Sequence, residues 1–167
     1  VQDGDGYGHA LALAYSGGSA TVLVGAAGED LGADVDAGVA YVFIRTAEEG
    51  WSASATTLVA PTPAYEAGFG SSVALSADGV YAVVGSPGPS NGTGSAYLFA
   101  QAPNGAWIAD PDELLAPDKA PQDSFGASVG ISASGSHVLV GAPQDTSGVG
   151  DLAVTYRGSA YVLKTLD

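Results

Sequence analysis

The stretch "FGASVGISASGSHVLVGAP", from Phe125 to Pro143, has two counterparts upstream. Phe69 to Pro87 reads "FGSSVALSADGVYAVVGSP", and Tyr7 to Ala27 reads "YGHALALAYSGGSATVLVGAA". Each opens on an aromatic-Gly pair, Tyr7-Gly8, Phe69-Gly70 or Phe125-Gly126, and each closes its second apolar run on Gly25, Gly85 or Gly141. A third apolar run follows as "AYVF" (from Ala40), "AYLF" (from Ala96) and "AYVL" (from Ala160). Two copies add a Trp segment, "WSASATTLVAP" from Trp51 and "WIADPDELLAP" from Trp107. Trp51 and Trp107, Pro61 and Pro117, and Phe69 and Phe125 are each 56 residues apart. A fixed period of that length marks a repeat architecture, and propellers have similar periods.

Inside a copy the apolar period is two. Val73 and Leu75 alternate with Ser72, Ala74 and Ser76, "SADG" supplies a turn, and "VYAVVG" is a short β-branched run. The breaker-rich loop "SPGPSNGTG" leads to "SAYLF", and Asn104-Gly105 is a two-residue hairpin signal before the Trp segment. "DPDELLAPD" is the only helix-like stretch, short and punctuated by Pro. Each copy therefore reads as a four-stranded antiparallel meander, and the chain as all-β. Such a meander has two faces to bury, and neighbouring copies stacked radially bury them as blades of a β-propeller.

The pattern "FGSSVALSADGVYAVVGSP…GSAYLF…W" resembles the FG-GAP repeat, found in the propeller head of integrin α chains and in bacterial and algal surface proteins. Phe125-Gly126 and Gly141-Ala142-Pro143 match its name literally, whereas the other copies carry Gly85-Ser86-Pro87 and Gly25-Ala26-Ala27. The resemblance covers Tyr7 to Leu163 and divides the chain into blades at 7–68, 69–124 and 125–167. The third blade lacks its Trp strand, so eleven strands stand where three full blades need twelve. A closed propeller has about 4–8 blades. The chain is thus expected to be an incomplete propeller, completed either by further blades of a longer protein or by another subunit. In the second case a heterologous head-to-tail contact closes a ring or propagates a filament, and the missing strand is donated across it.

Composition narrows the function classes. Eighteen acidic residues against four basic ones give a net charge of −14, which disfavours nucleic acid and anionic membrane surfaces. No apolar run approaches the roughly 18 residues of a membrane helix. The absence of Cys removes disulfide and thiol chemistry. Low Lys, abundant Gly and Ser, and a start at Val1 without Met or a signal peptide suggest a mature, secreted or cell-surface protein.

In FG-GAP copies of the integrin type, a DxDxDG calcium loop lies between the first two strands. The equivalent turns here, 14–21, 76–80 and 132–136, hold one carboxylate, Asp78, whereas Ca²⁺ takes six to eight oxygens. No cofactor is expected at those loops. A separate acidic cluster, Glu29, Asp30, Asp34 and Asp36 in "GEDLGADVDAG", is the candidate cation site, set against a solvated loop that keeps the surface charged. Asp3 and Asp5 are a weaker pair of the same kind. Asn91-Gly92-Thr93 is an N-glycosylation sequon in an exposed loop.

His9 and His137 lie in no catalytic motif, and His137 falls on a strand facing a repeat neighbour. Asp110, Asp112 and Glu113 resemble paired acids, but "DPDE" is a turn motif. Non-enzymatic self-assembly or adhesion is the leading reading. A propeller that binds a protein or glycan through its variable loops is the alternative.

Overall fold

The computed structural model describes residues 4–52, 54–146 and 157–165. Three antiparallel sheets follow the three copies. The first holds β1 (Tyr7–Ser16), β2 (Ser19–Ala26), β3 (Val39–Thr46), β4 (Gly50–Trp51) and β5 (Thr56–Leu58). The second is β6 (Ser72–Leu75), β7 (Tyr81–Ser86), β8 (Ser95–Gln101) and β9 (Trp107–Ala109), and the third β10 (Ser128–Ile131), β11 (His137–Ala142) and β12 (Ser159–Lys164). Strands pair in chain order within each sheet, with β5 joining β4 on the outer side of β3. The expected all-β reading, with a third blade of three strands, holds among the described residues. "DPDELLAPD" is not helical: Asp110 caps its own turn by accepting the Asp112 N–H, and Leu114 bridges back to Ala96.

Two details differ from the sequence reading. The fourth strand of the first blade is split: Trp51 pairs with Arg45, while Thr56 to Leu58 pairs with Val42 to Ala40. The Ser52 hydroxyl accepts the Ile44 N–H, and Ser52 N–H donates to the Ile44 carbonyl, so Ser52 satisfies the strand edge locally at the break. The hairpin at Asn104-Gly105 exists, but its loop has three residues, Pro103 to Gly105, closed by Ala102 N–H to Ala106 O. Pro103 presets the first turn position, and only Gly105 (φ 84°) is left-handed, the type I turn plus left-handed residue of three-residue hairpins.

Two apolar clusters form between sheets. Phe69, Leu23, Val42, Leu58, Val84 and Phe99 join the first and second blades. Phe125, Val83, Leu98, Val138 and Val140 join the second and third. Phe69 and Phe125 are both fully buried, each stacked on its own blade's tyrosine: Phe69 on Tyr97 at 5.6 Å and Phe125 on Tyr161 at 5.5 Å.

The segment entering each aromatic is shaped by backbone bonding to the blade before it. The N–H groups of Glu66, Gly68 and Phe69 donate to the carbonyls of Val35, Asp36 and Ala37. Those of Gln122, Ser124 and Phe125 donate likewise to Asn91, Gly92 and Thr93. To present alternate N–H groups this way, Glu66 (φ 52°), Gly68 (62°), Gln122 (71°) and Ser124 (57°) are all left-handed. A non-Gly residue pays about 1–2 kcal/mol there. Ser124→Gly is therefore expected to stabilise the chain by up to about 1 kcal/mol, whereas Ser124→Val destabilises it by more than that. Urea denaturation midpoints check both.

Candidate docking surface

Side chains alternate across a strand, and residues opposite each other in a register share a face. On the second blade, Val73, Leu75, Ala82, Val84, Tyr97 and Phe99 face the first blade, while Tyr81, Val83, Ala96 and Leu98 face the third. The same two faces exist on the end blades, but there the outer one leaves large apolar side chains exposed, although Val24 within the first blade's outer face is buried.

On the first blade the face equivalent to Val73, Leu75 and Val84 carries Leu11, Leu13, Val22, Val24 and Phe43, in register across β1, β2 and β3. Leu11 and Leu13 are 67% and 69% exposed. Tyr7 holds the position of Phe69 and Phe125 and stacks on Tyr41 at 5.5 Å, as they stack on Tyr97 and Tyr161. It is nevertheless 44% exposed, where both phenylalanines are fully covered. Gly4 and Gly6 repeat the left-handed pattern of 66/68 and 122/124, so the whole entry segment is shaped as if against a preceding blade.

On the third blade the face equivalent to Val83, Ala96 and Leu98 carries Leu139, Ala160 and Val162. Val83 and Ala96 are fully covered, but Leu139 is 49% and Val162 69% exposed. A hollow of about 310 Å³ lies here, lined by Gly130, His137, Leu139 and Val162 among others. His137 thus starts β11 exposed on the outward face, with no neighbouring blade among the described residues over it. Its Nδ1 lies 2.9 Å from the Ser136 hydroxyl.

The glycine that closes the second strand shows most directly what each face receives. A Cβ at Gly25 would collide with the Gly70 carbonyl of the second blade, and one at Gly85 with the Gly126 carbonyl of the third. Ser72 fixes the second contact by donating to that Gly126 oxygen at 2.8 Å. Gly141 and Ser128 stand at the same positions on the third blade; among the described residues a Cβ at Gly141 would meet its own blade, the Ser128 side chain foremost. Backbone-on-backbone contact of the aromatic-Gly pair on a strand glycine is thus the repeating joint of the stack. The sequence profile of the FG-GAP repeat matches residues 51–99 and 110–163, more than half the chain. The chain belongs to the FG-GAP repeat family. No curated protein matches it.

The other expected site residues of this FG-GAP chain are placed as follows. Glu29, Asp30, Asp34 and Asp36 sit on the β2–β3 loop, where they serve local bonds: both Glu29 oxygens lie 2.7 Å from the Tyr41 hydroxyl, Asp30 accepts the Asp36 N–H, and Asp34 bridges Leu31. Among the described residues no three His, Asp or Glu side chains group as a metal site. Asp5 is buried at the entry to Tyr7, as Asp123 is before Phe125; Asp3 lies outside the described residues. Asp78 Oδ1 accepts the Ser76 hydroxyl and the Val80 N–H, chiefly the former lowering its pKa, so the one carboxylate of the first turns closes a turn. Asn91 is exposed on a left-handed turn at Pro89–Gly92, and His9 is exposed on β1. Among the described residues no helix is long and apolar enough to cross a membrane.

One tier of polar bonds was not expected. Tyr41, Tyr97 and Tyr161 occupy equal positions, and each hydroxyl donates to carboxylate: Glu29, Glu113, and both Asp118 and Asp145. Burial foremost pushes Tyr97 up to about 12, with the Glu113 carboxylate adding to it, and Tyr41 rises to about 12 for the same first reason. Tyr161 is pushed up further, again by burial first and then by Asp145. Folding thus favours the neutral phenol, whose unfolded pKa is about 10. This stability is fully present below pH 10 and is lost as pH rises from 10 through 12. Alkaline unfolding followed by circular dichroism is expected to start in that window, and Tyr97→Phe to flatten its pH dependence.

Proposed function

We propose that this FG-GAP chain is a non-enzymatic, extracellular structural module that assembles head to tail, with the outer face of the third blade of one copy against the outer face of the first blade of the next. The observation that carries this reading is the matched pair of half-made joints. Tyr7-Gly8 stands exposed at one end, and at the other no aromatic-Gly pair among the described residues packs on Gly141 and Ser128. The new contact continues two interfaces already formed inside the chain, with Tyr7 playing the part of Phe69 and Gly8 that of Gly70. An exposed apolar sheet face of this kind is otherwise an aggregation liability.

The acidic surface limits association to that one geometry, because any other approach brings like charges together without apolar burial. A glycan at the exposed Asn91 would stand on the β7–β8 loop of the middle blade, which carries neither outer face. Cation binding at Glu29, Asp30, Asp34 and Asp36 would compete with the Tyr41 hydroxyl for Glu29, and assembly is expected without it.

Sedimentation velocity of the full chain over a micromolar dilution series tests the reading. Mass rising with concentration is expected, more steeply as salt screens the net charge of −14. A folded monomer at every concentration and salt would overturn it.

A further inference from the structure

Of the three repeat-equivalent tyrosines, the third has one carboxylate too many. Tyr41 meets Glu29 and Tyr97 meets Glu113, one acid for one phenolic hydrogen. The Tyr161 oxygen lies 2.7 Å from Asp118 Oδ1 and 2.6 Å from Asp145 Oδ2. A phenol has a single hydrogen to donate, and an ionised carboxylate only accepts. Two contacts this short around one oxygen therefore hold a second proton, which sits on one of the two acids.

Burial decides which acid carries it. Asp145, on the loop after β11, is 2% exposed, whereas Asp118, on the linker from β9 to Phe125, is exposed. Removal from water favours the neutral form of a carboxyl group. The other charged side chains of these elements are divided in the same sense. Asp123 is buried on the linker, its carbonyl accepting the Gln144 N–H, and adds negative charge close to Asp145. Lys119, beside Asp118, and Arg157, whose backbone N–H donates to the Asp145 carbonyl, are both exposed, where solvent screens them.

We infer that Asp145 keeps its proton at neutral pH and that this proton latches the linker to the third blade. Asp145 donates to the Tyr161 oxygen, and Tyr161 donates in turn to the charged Asp118. Deprotonation leaves two anions on one phenol, and Asp118, the exposed member, is the one that leaves. The linker runs directly into Phe125, so its release loosens the joint of the second and third blades from the entry side. In the unfolded chain an Asp titrates near pH 3.9, below the folded value. The latch's contribution to stability is thus complete below about pH 4 and is lost as pH rises through the folded value. Neither Leu13 nor Val162 takes part, so the latch does not depend on self-assembly.

Urea unfolding of the full chain between pH 4 and pH 8, at dilute concentration, tests the latch against two amide variants. Asp145→Asn imitates the neutral acid. Asp118→Asn, at an exposed position, offers its own N–H to the phenol, so that Tyr161 can donate to an ionised Asp145 and no extra proton is needed. Relative to either variant, the folding constant of the unmodified chain is expected to fall at least about tenfold across that range, the equivalent of one pKa unit. A difference that stays level with pH, or changes in the opposite sense, overturns the inference. Should Asp145→Asn fail to fold, carboxyl-carbon NMR at pH 7 decides. The unmodified chain should show one protonated Asp signal, and Asp118→Asn should abolish it. Absence of that signal, or its persistence in Asp118→Asn, overturns the latch.

Discussion

Phe69→Ala and Phe125→Ala are each expected to cost about 3–5 kcal/mol, a large share of the roughly 5–15 kcal/mol that keeps an ordinary domain folded. Each phenylalanine lies between two sheets, and the two are the largest fully buried side chains among the described residues. Truncation leaves a cavity that neither sheet can close, because the flanking backbones are already held apart by the glycine joint. The aromatic contacts to Tyr97, Phe99 and Tyr161 are lost with it. Tyr7→Ala at the equivalent position should cost the isolated chain only about 1 kcal/mol or less, since Tyr7 is half exposed and covered by one tyrosine. Under the proposed assembly its effect should fall on association instead. Chemical denaturation of the three variants, measured well below the association range, checks the ranking; a Tyr7→Ala loss equal to that of Phe69→Ala would contradict the idea that its pocket is on another copy.

Gly85→Ala should be nearly as damaging, at about 3 kcal/mol or more, because the new methyl meets the Gly126 carbonyl and the Ser72 hydroxyl. A carbonyl in the backbone of the next blade cannot rotate away, so the blades must separate. Gly141→Ala places the same methyl where the nearest obstacle is the Ser128 hydroxyl, the end of an exposed and rotatable side chain. The monomer should lose under about 1 kcal/mol. Association by the proposed contact, by contrast, should disappear, because the methyl would occupy the seat that contact gives to the incoming Gly8 carbonyl. Two identical substitutions at repeat-equivalent positions thus separate folding from assembly. Thermal melts and sedimentation of the two variants are sufficient to see it.

Most of the fold was legible because the repeat fixes it three times over. The aromatic-Gly pair, the strand glycine and the tyrosine of the third run carry one geometric role each, and misreading one copy is corrected by the other two. The split of the first blade's outer strand was not legible, since "WSASATTL" alternates as acceptably as a continuous strand and only the local bonds of Ser52 with Ile44 interrupt it. The three-residue hairpin at Pro103 was masked by the stronger Asn-Gly signal beside it.

The tyrosine–carboxylate tier escaped for a different reason. Glu29 and Asp145 each stand four residues past the glycine that closes their blade's second strand, but Glu113 and Asp118 lie beyond β9, so no single spacing announces the set. For the same reason Glu29 looked like a cation ligand beside Asp30, Asp34 and Asp36, when its partner is Tyr41. The alternating left-handed residues before each aromatic are Gly-Gly in one copy, Glu-Gly in another and Gln-Ser in the third. No residue type marks them; only bonding to the preceding blade does.

A mixing experiment puts the head-to-tail contact to its most direct test. Leu13→Glu spoils the outer face of the first blade and leaves the third intact, and Val162→Glu does the reverse, so two spoiled faces repel each other; both positions are exposed, so both variants should fold. Each alone should sediment as a monomer, because every possible joint then includes one spoiled face. Mixed in equal amounts, they retain one good joint, between the third blade of the first variant and the first blade of the second. Sedimentation velocity should then show a one-to-one heterodimer that grows no further. Association of either variant with itself, or a mixture that stays monomeric while the unmodified chain assembles, would contradict the contact.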